Sequence, residues 1–294
     1  MARADSVPNH WTNLIWSVNT PSIVRDWNLP WLPDERREQL SAFFSREEIR
    51  NRLQRELETF VASGPSKRLG VYFENLWSFA FTHHPHYELR QRNLPLRHSG
   101  RTLGELDFVV RHLPTDSTEH WELAIKFYLQ VDNDRWVGPG LHDRLDIKLA
   151  RMRDHQLPVI EQPAAKKILQ QQGILIERQW TLMPGRLFRR LGDRNQPLDA
   201  DINPTSHWWA APSEFRQRFV TEAYHWVTLP KQGWLADRGY RVLQSRSCAA
   251  LAEILESEGL HRPLCVAGLI GGRERTRGFI VPDGWYQSAL DTLR

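Results

Sequence analysis

Cysteine is nearly absent from this 294-residue chain: only Cys248 and Cys265 occur, outside any C-x-x-C spacing. That scarcity argues against a disulfide framework, a thiolate zinc site or a dithiol redox motif. The two thiols read as reduced, half-buried side chains of a cytoplasmic protein. Long apolar runs are missing as well. No window approaches the about 18 apolar residues that a membrane helix needs. The opening stretch, MARADSVPNHWTNLIW, has no basic segment followed by an apolar h-region. The expectation is a soluble cytoplasmic protein with no membrane partner. The signatures G-x-S-x-G and H-E-x-x-H do not occur. Gly268, Gly271 and Gly272 in GLIGGRER fit neither the phosphate-cradling loop nor the dinucleotide fingerprint, so they read as a plain turn. Internal repeats and low-complexity segments are lacking too.

What is present is a globular composition, 40% apolar and 25% charged, enough for one large domain or two small ones with a core that needs no covalent staples. Lys and Arg number 39 against 35 Asp and Glu, and the resulting +4 permits a polyanionic partner without requiring one. The 13 tryptophans are many for this length. Most read as core filling, while Trp136, Trp208, Trp209, Trp234 and Trp285, beside loops or charges, include candidate stacking platforms for bases.

Along the chain, residues 1–63 read as a helical N-terminal region. DERREQLSAFFS and SREEIRNRLQRELETFVAS carry helical periodicity, with Ser45 and Glu48 spaced as a capping box. After a break at Gly64-Pro65, SKRLGVYFENLWSFAF reads as a nearly all-apolar buried helix whose interior acid is Glu74. Short β-like runs follow: YELRQRNLPL, a turn at His98-Ser99-Gly100, TLGELDFVVRHL, a polar PTDST loop and EHWELAIKFYL. LHDRLDIKLARMRDHQL is a helix that buries Leu141, Leu145, Leu149 and Met152. A short helix and two strands, ILIERQWTLM and GRLFRRL, come next. Residues 192–204 read as a linker, and 205–294 as a C-terminal α/β region packed on the core, with a Ser247-capped helix stopped by Gly259.

Within EHWELAIKFYL, read as one strand, alternation turns Glu122, Ala124 and Lys126 to one face, with Asp107 of GELDF on the neighbouring strand. Two converging carboxylates raise each other's proton affinity unless a divalent cation stabilises both ionised forms. Mg²⁺ or Mn²⁺ meets that need through hard-oxygen ligation. A lysine beside the cation orients a water or stabilises charge on a phosphate oxygen. These parts suit phosphodiester hydrolysis.

The order of a helix with an acid, GELDF on a strand, a hairpin partner with acid and lysine, and then a helix resembles the PD-(D/E)XK nuclease superfamily over residues 66–156. More closely, through GELDFVV, WELAIKFYL, WVGPGLHDRLDIKLARM and FIVPDGW, the whole chain resembles the bacterial domain-of-unknown-function family 1853. The superfamily resemblance implies a restriction-endonuclease-like core over residues 64–191, a central mixed β-sheet flanked by helices. It also implies Mg²⁺-dependent cleavage of DNA or RNA. Carried onto this chain, it makes Asp107, Glu122 and Glu74 metal ligands and Lys126, with Asp107 and Glu122, the catalytic group. One position departs: the superfamily's second acid stands two residues before its lysine, where this chain has Ala124, and Glu122 is four before.

Each feature has a plainer reading. Asp107 and Lys126 also fit an ion pair between neighbouring strands. Glu122 also fits an exposed strand edge, and Glu74 a surface pair with Lys67 or Arg68. His83, His84 and His86 follow a helix end, where imidazoles meet the negative dipole, and read as structural. Arg144, Lys148 and Arg151 form a helix stripe that either tracks a nucleic-acid backbone or is a solvated face. The clusters Arg186, Arg189, Arg190 and Arg273, Arg275, Arg277 divide the same way. The leading expectation is a metal-dependent nuclease. The alternative is a nuclease-fold nucleic-acid-binding or adaptor protein without catalysis, to which Ala124 points.

Overall fold

The computed structural model describes residues 5–25, 27–64, 66, 68–191 and 207–294. The expected linker at 192–204 lies outside the described residues, as do Pro65 of the expected break and Lys67. The architecture is mixed α/β. Its elements run β1 (Ser6–Pro8), α1 (His10–Asn19), α2 (Asp34–Phe44), α3 (Glu47–Ala62), α4 (Leu69–His83), β2 (Tyr87–His98), β3 (Arg101–His112), β4 (Ser117–Leu123), β5 (Lys126–Asp132) and β6 (Arg135–Val137). There follow α5 (Leu145–Arg151), α6 (Pro163–Gln171), β7 (Arg178–Leu182), β8 (Gly185–Arg190), β9 (His207–Ala210), α7 (Pro212–Phe219), β10 (His225–Thr228), β11 (Tyr240–Val242), α8 (Cys248–Glu258), β12 (Leu264–Ile270), β13 (Arg273–Ile280) and α9 (Trp285–Asp291). Among the described residues no helix is long and apolar enough to cross a membrane.

The chain divides into two compact units. One comprises Asn13–Ile125 and Ile147–Gly185. Its sheet has the order β2-β3-β4-β7, with β2, β3 and β4 antiparallel and β7 parallel to β4. The β2–β3 hairpin turns at Ser99 and Gly100, both at positive φ as a tight reversal requires. Aromatic side chains of α4 meet those of the sheet: Trp77 and Phe81 lie 5.7 and 5.1 Å from Trp121, and Phe81 lies 5.4 Å from Phe108. Each such fully buried side chain contributes about 1.5–3 kcal/mol, which explains why α4 has little polar surface. A second apolar cluster joins Leu94, Leu96, Leu106 and Val109 to Val159, Ala165 and Leu169.

The other unit comprises the chain up to Thr12, Lys126–Asp146 and Arg186–Arg294. Its seven-stranded mixed sheet has the order β10-β12-β13-β9-β8-β5-β6. Trp208, Phe215, Phe219, Trp226, Leu251 and Leu255 form an apolar cluster in it, joining strands to α7 and α8. Trp208, Trp209 and Trp285 are therefore core residues and offer no exposed stacking surface, whereas Trp136 and Trp234 are half-buried. Ser247 caps α8 by accepting from the Ala250 amide, Gly259 ends that helix at positive φ, and Gly271 and Gly272 form the β12–β13 turn.

Two local expectations change. Ser45 ends α2, and α3 begins behind Arg46 with no side-chain cap, so there is no capping box at Ser45 and Glu48. EHWELAIKFYL is not one strand. Chain pairing passes from the four-stranded sheet to the seven-stranded one between Leu123 and Lys126, so the two-residue alternation that joined Glu122 to Lys126 is interrupted.

The glycine of GELDF has a packing cause, because a Cβ on Gly104 would stand 2.8 Å from a Val159 methyl. Gly104→Ala is expected to lower stability by about 1–3 kcal/mol through overpacking. In a denaturant-unfolding double-mutant cycle, part of that loss should disappear in a Val159→Ala background; strictly additive losses would show that Val159 is not the cause.

Candidate functional site

The antiparallel β3–β4 ladder ends at the pair Phe108–Trp121. Continuing its register by one residue brings Asp107 opposite Glu122, and directly opposed side chains in such a ladder have Cβ atoms about 4.5–5.5 Å apart. Asp107 Oδ2 accepts from the Leu123 amide at 3.0 Å, and the next amide, Ala124, turns to the Leu182 carbonyl of β7. An aspartate side chain thus takes the place of a β3 carbonyl where the ladder stops. Glu74 of α4 adds a third carboxylate whose charge is felt by both. It is held by Arg92 at 3.2 Å and accepts from Asn93 at 3.4 Å, so its partner among the described residues is Arg92 and not Arg68.

A lysine is present, from another element than expected. Lys148 Nζ lies 3.6 Å from Glu122 Oε1 and donates to Gln156 Oε1 at 2.8 Å, while Gln156 Nε2 donates to the same Glu122 oxygen. Eight residues of α-helix turn through about 800°, which would leave Gln156 some 80° away from Lys148. The helix avoids this by passing from α5 into a π turn, Met152–Gln156, in which the Leu157 amide bonds the Met152 carbonyl at 3.1 Å. The wider turn returns Gln156 to the Lys148 side, and π turns of this kind recur at functional sites.

Lys126 belongs to the other unit, where it pairs with Asp143 at 2.5 Å. Asp143 also accepts from Tyr128 at 3.3 Å. Arg144 of the expected basic stripe is likewise in that unit, bound to Asp146 at 2.6 Å and to the Thr292 carbonyl. Arg151 is exposed. His84 caps α4 and accepts from the His86 amide, and His83 lies 3.4 Å from Glu56. The structure therefore gathers Glu74, Asp107, Glu122 and Lys148, with Gln156 and His120, in a single unit. Sequence reasoning left out Gln156 and His120 and gave Lys148 only a surface role. A signal for Lys148 existed: it is three residues after Leu145 and four before Met152, both on the buried stripe.

Residues 12–281, which contain all of these side chains, match the family model described as Domain of unknown function (DUF1853). The chain belongs to this family. No curated protein and no solved structure matches it significantly.

In this DUF1853 protein, burial raises Glu122, 1% exposed, to a pKa of about 8, reinforced by the charges of Asp107 and Glu74 and opposed by Lys148. Burial also raises Asp107 to about 6, opposed by the Leu123 amide. His120 is pushed down to about 4 by burial. Glu122 Oε2 and His120 Nε2 are buried without a hydrogen-bond partner among the described residues and face one another across 3.9 Å. No group of three His, Cys, Asp or Glu side chains with metal-holding geometry occurs among the described residues. Mg²⁺ does not need such a cage, because it keeps several waters and uses one or two carboxylates. An unpartnered buried carboxylate oxygen opposite a second carboxylate fits that donor set.

The raised carboxylates carry a sign. A folded-state pKa above the unfolded value means stability that is complete below the unfolded pKa and lost as pH rises through the folded one. The lowered histidines act in the opposite sense, between about 4 and their unperturbed 6.5. Above that, the raised Glu122 carries the linkage, up to about 8. The thermal midpoint of the metal-free protein is therefore expected to fall between pH 6.5 and 8, on the order of 2–4 °C for each kcal/mol. Glu122→Gln should flatten that slope, and an equal slope in the variant would refute the assignment.

Proposed function

We propose that this DUF1853 protein hydrolyses phosphodiester bonds of nucleic acid with a divalent cation held by Asp107 and Glu122. The observation that carries the reading is the unpartnered Oε2 of Glu122. Three residues earlier, buried Glu119 is bound by Arg36 at 2.8 Å and by the Trp121 indole at 2.9 Å. Glu122 is equally buried, yet among the described residues its Oε2 has no hydrogen-bond donor, and the Lys148 ammonium lies 3.6 Å from the other oxygen, a costly arrangement for Oε2 unless something else occupies it. The sequence of acidic helix, GELDF strand, acidic strand and basic helix supports a PD-(D/E)XK-like core.

When bound, Mg²⁺ or Mn²⁺ supplies Lewis-acid charge to the carboxylates and to the oxygen on which charge develops. Asp107 and Glu122 hold it, and Glu74 adds negative charge. Lys148, fixed by Gln156, donates to an attacking water or a phosphate oxygen, the role first expected of Lys126. In the reaction the water oxygen forms a bond to phosphorus, the ester P–O bond breaks, and the water's proton passes to the departing oxygen.

Mn²⁺ calorimetry on the parent and Asp107→Asn is the first test, followed by cleavage of duplex DNA, single-stranded DNA and RNA with Mg²⁺ or Mn²⁺. Heat of binding should vanish with Asp107, and Lys148→Met should slow cleavage about 10²–10³-fold while Lys126→Met does not. Loss of activity in Lys126→Met alone would return the role to Lys126. The adaptor reading is favoured by Ala124 and by the Arg92 tie on Glu74. Its signature is salt-sensitive nucleic-acid binding that survives chelator and Lys148→Met, with no cleavage.

A further inference from the structure

Gln179 of β7 stands beside His120 of β4 in the parallel ladder. Its amide nitrogen donates to the Leu157 carbonyl at 3.0 Å and lies 3.0 Å from His120 Nδ1. The first bond fixes which end of the amide faces these groups, because a carbonyl oxygen only accepts. Nδ1 is then left with the acceptor's role. An imidazole accepting at Nδ1 is neutral and carries its proton on Nε2. That Nε2–H is the group facing Glu122 Oε2 at 3.9 Å.

Two atoms bound to one zinc ion at about 2.0–2.2 Å each are separated by at most about 4.4 Å. His120 Nε2 and Glu122 Oε2 are within that span, so distance does not prevent them from sharing an ion. The proton does. We propose that Gln179 sets the cation selectivity of the site: by keeping the proton on His120 Nε2 it turns an N–H instead of a lone pair toward Glu122 and withholds a nitrogen ligand, leaving oxygen donors that suit Mg²⁺ and disfavour Zn²⁺. Imidazole nitrogen is a preferred ligand of Zn²⁺, whereas Mg²⁺ takes oxygen. The selectivity rests on the cation reading above; the tautomer does not.

¹⁵N-histidine NMR of the metal-free protein reads the tautomer directly, and a protonated Nε2 with an unprotonated Nδ1 is expected for His120. Gln179→Glu replaces the donor by a group that only accepts, which moves the proton to Nδ1 and turns the Nε2 lone pair toward Glu122. Titration calorimetry should then show a gain of about tenfold or more in Zn²⁺ affinity over the parent, with no gain for Mg²⁺. His120→Phe in that background should remove the gain. If Gln179→Glu does not fold, Gln179→Leu, which also removes the Nδ1 donor, should shift the Zn²⁺ to Mg²⁺ affinity ratio in the same direction. A parent that binds Mg²⁺ but shows His120 protonated on Nδ1, or folded Gln179 variants with the parent's ratio, overturns this inference alone. A parent that binds neither Mg²⁺ nor Mn²⁺ overturns the cation reading and the selectivity with it, whatever the tautomer.

Discussion

Two carboxylates set opposite one another at the end of a β-ladder are the constraint around which this unit is arranged. Like charges directly across an antiparallel pair oppose sheet formation, and Glu122 is withdrawn from water as well. The surroundings of the pair are organised as a response. Asp107 turns one oxygen to the Leu123 amide, β4 stops, and the chain joins a different sheet. Lys148 and Gln156 arrive from the following helix to engage one oxygen of Glu122. The second oxygen faces the His120 imidazole at 3.9 Å.

The comparison between Glu119 and Glu122 shows that this chain can satisfy a buried glutamate when nothing else is required of it. Arg36 pairs with Glu119 and also donates to the Tyr87 hydroxyl at 2.9 Å, so both the acid and its partner are anchored. Removing one member of such a pair costs several kcal/mol. At Glu122 two glutamines act instead as orienting groups: Gln156 bridges the ammonium to the carboxylate, and Gln179 fixes the histidine. Neither glutamine carries charge. Their contribution is direction, since the two ends of an amide have opposite hydrogen-bonding roles.

The other unit is held in a different way. Its seven-stranded sheet packs tryptophan and phenylalanine rings against α7 and α8, with Trp208 stacked on Phe215 at 5.8 Å. Its buried Arg277 is paired with Glu274 at 2.7 Å and donates to the carbonyls of Leu235 and Ala236. A guanidinium with its donors occupied in this way is a structural tie. Lys126, Tyr128 and Asp143 form a smaller polar group there.

Periodicity and composition determined a good deal by themselves. The buried α4 follows from an apolar pattern that wraps most of a helix, the β2–β3 and β12–β13 reversals from their glycines, and the end of α8 from Gly259. The acids were legible because charged residues on apolar strands need a reason. Tertiary structure decided the partner of those acids. Alternation along EHWELAIKFYL holds only while the chain stays in one sheet, and the ladder ends where Asp107 takes the Leu123 amide, so Lys126 no longer follows Glu122 by strand geometry. Lys148 reaches Glu122 through the fold of the next helix, and Gln156 through a π turn that no residue type announces. The tautomer of His120 depends on a β7 neighbour nearly sixty residues away in sequence. Side-chain alternation is a local property of the backbone, whereas ladder ends, helix register and proton placement are set by which hydrogen-bond partners the folded chain leaves free.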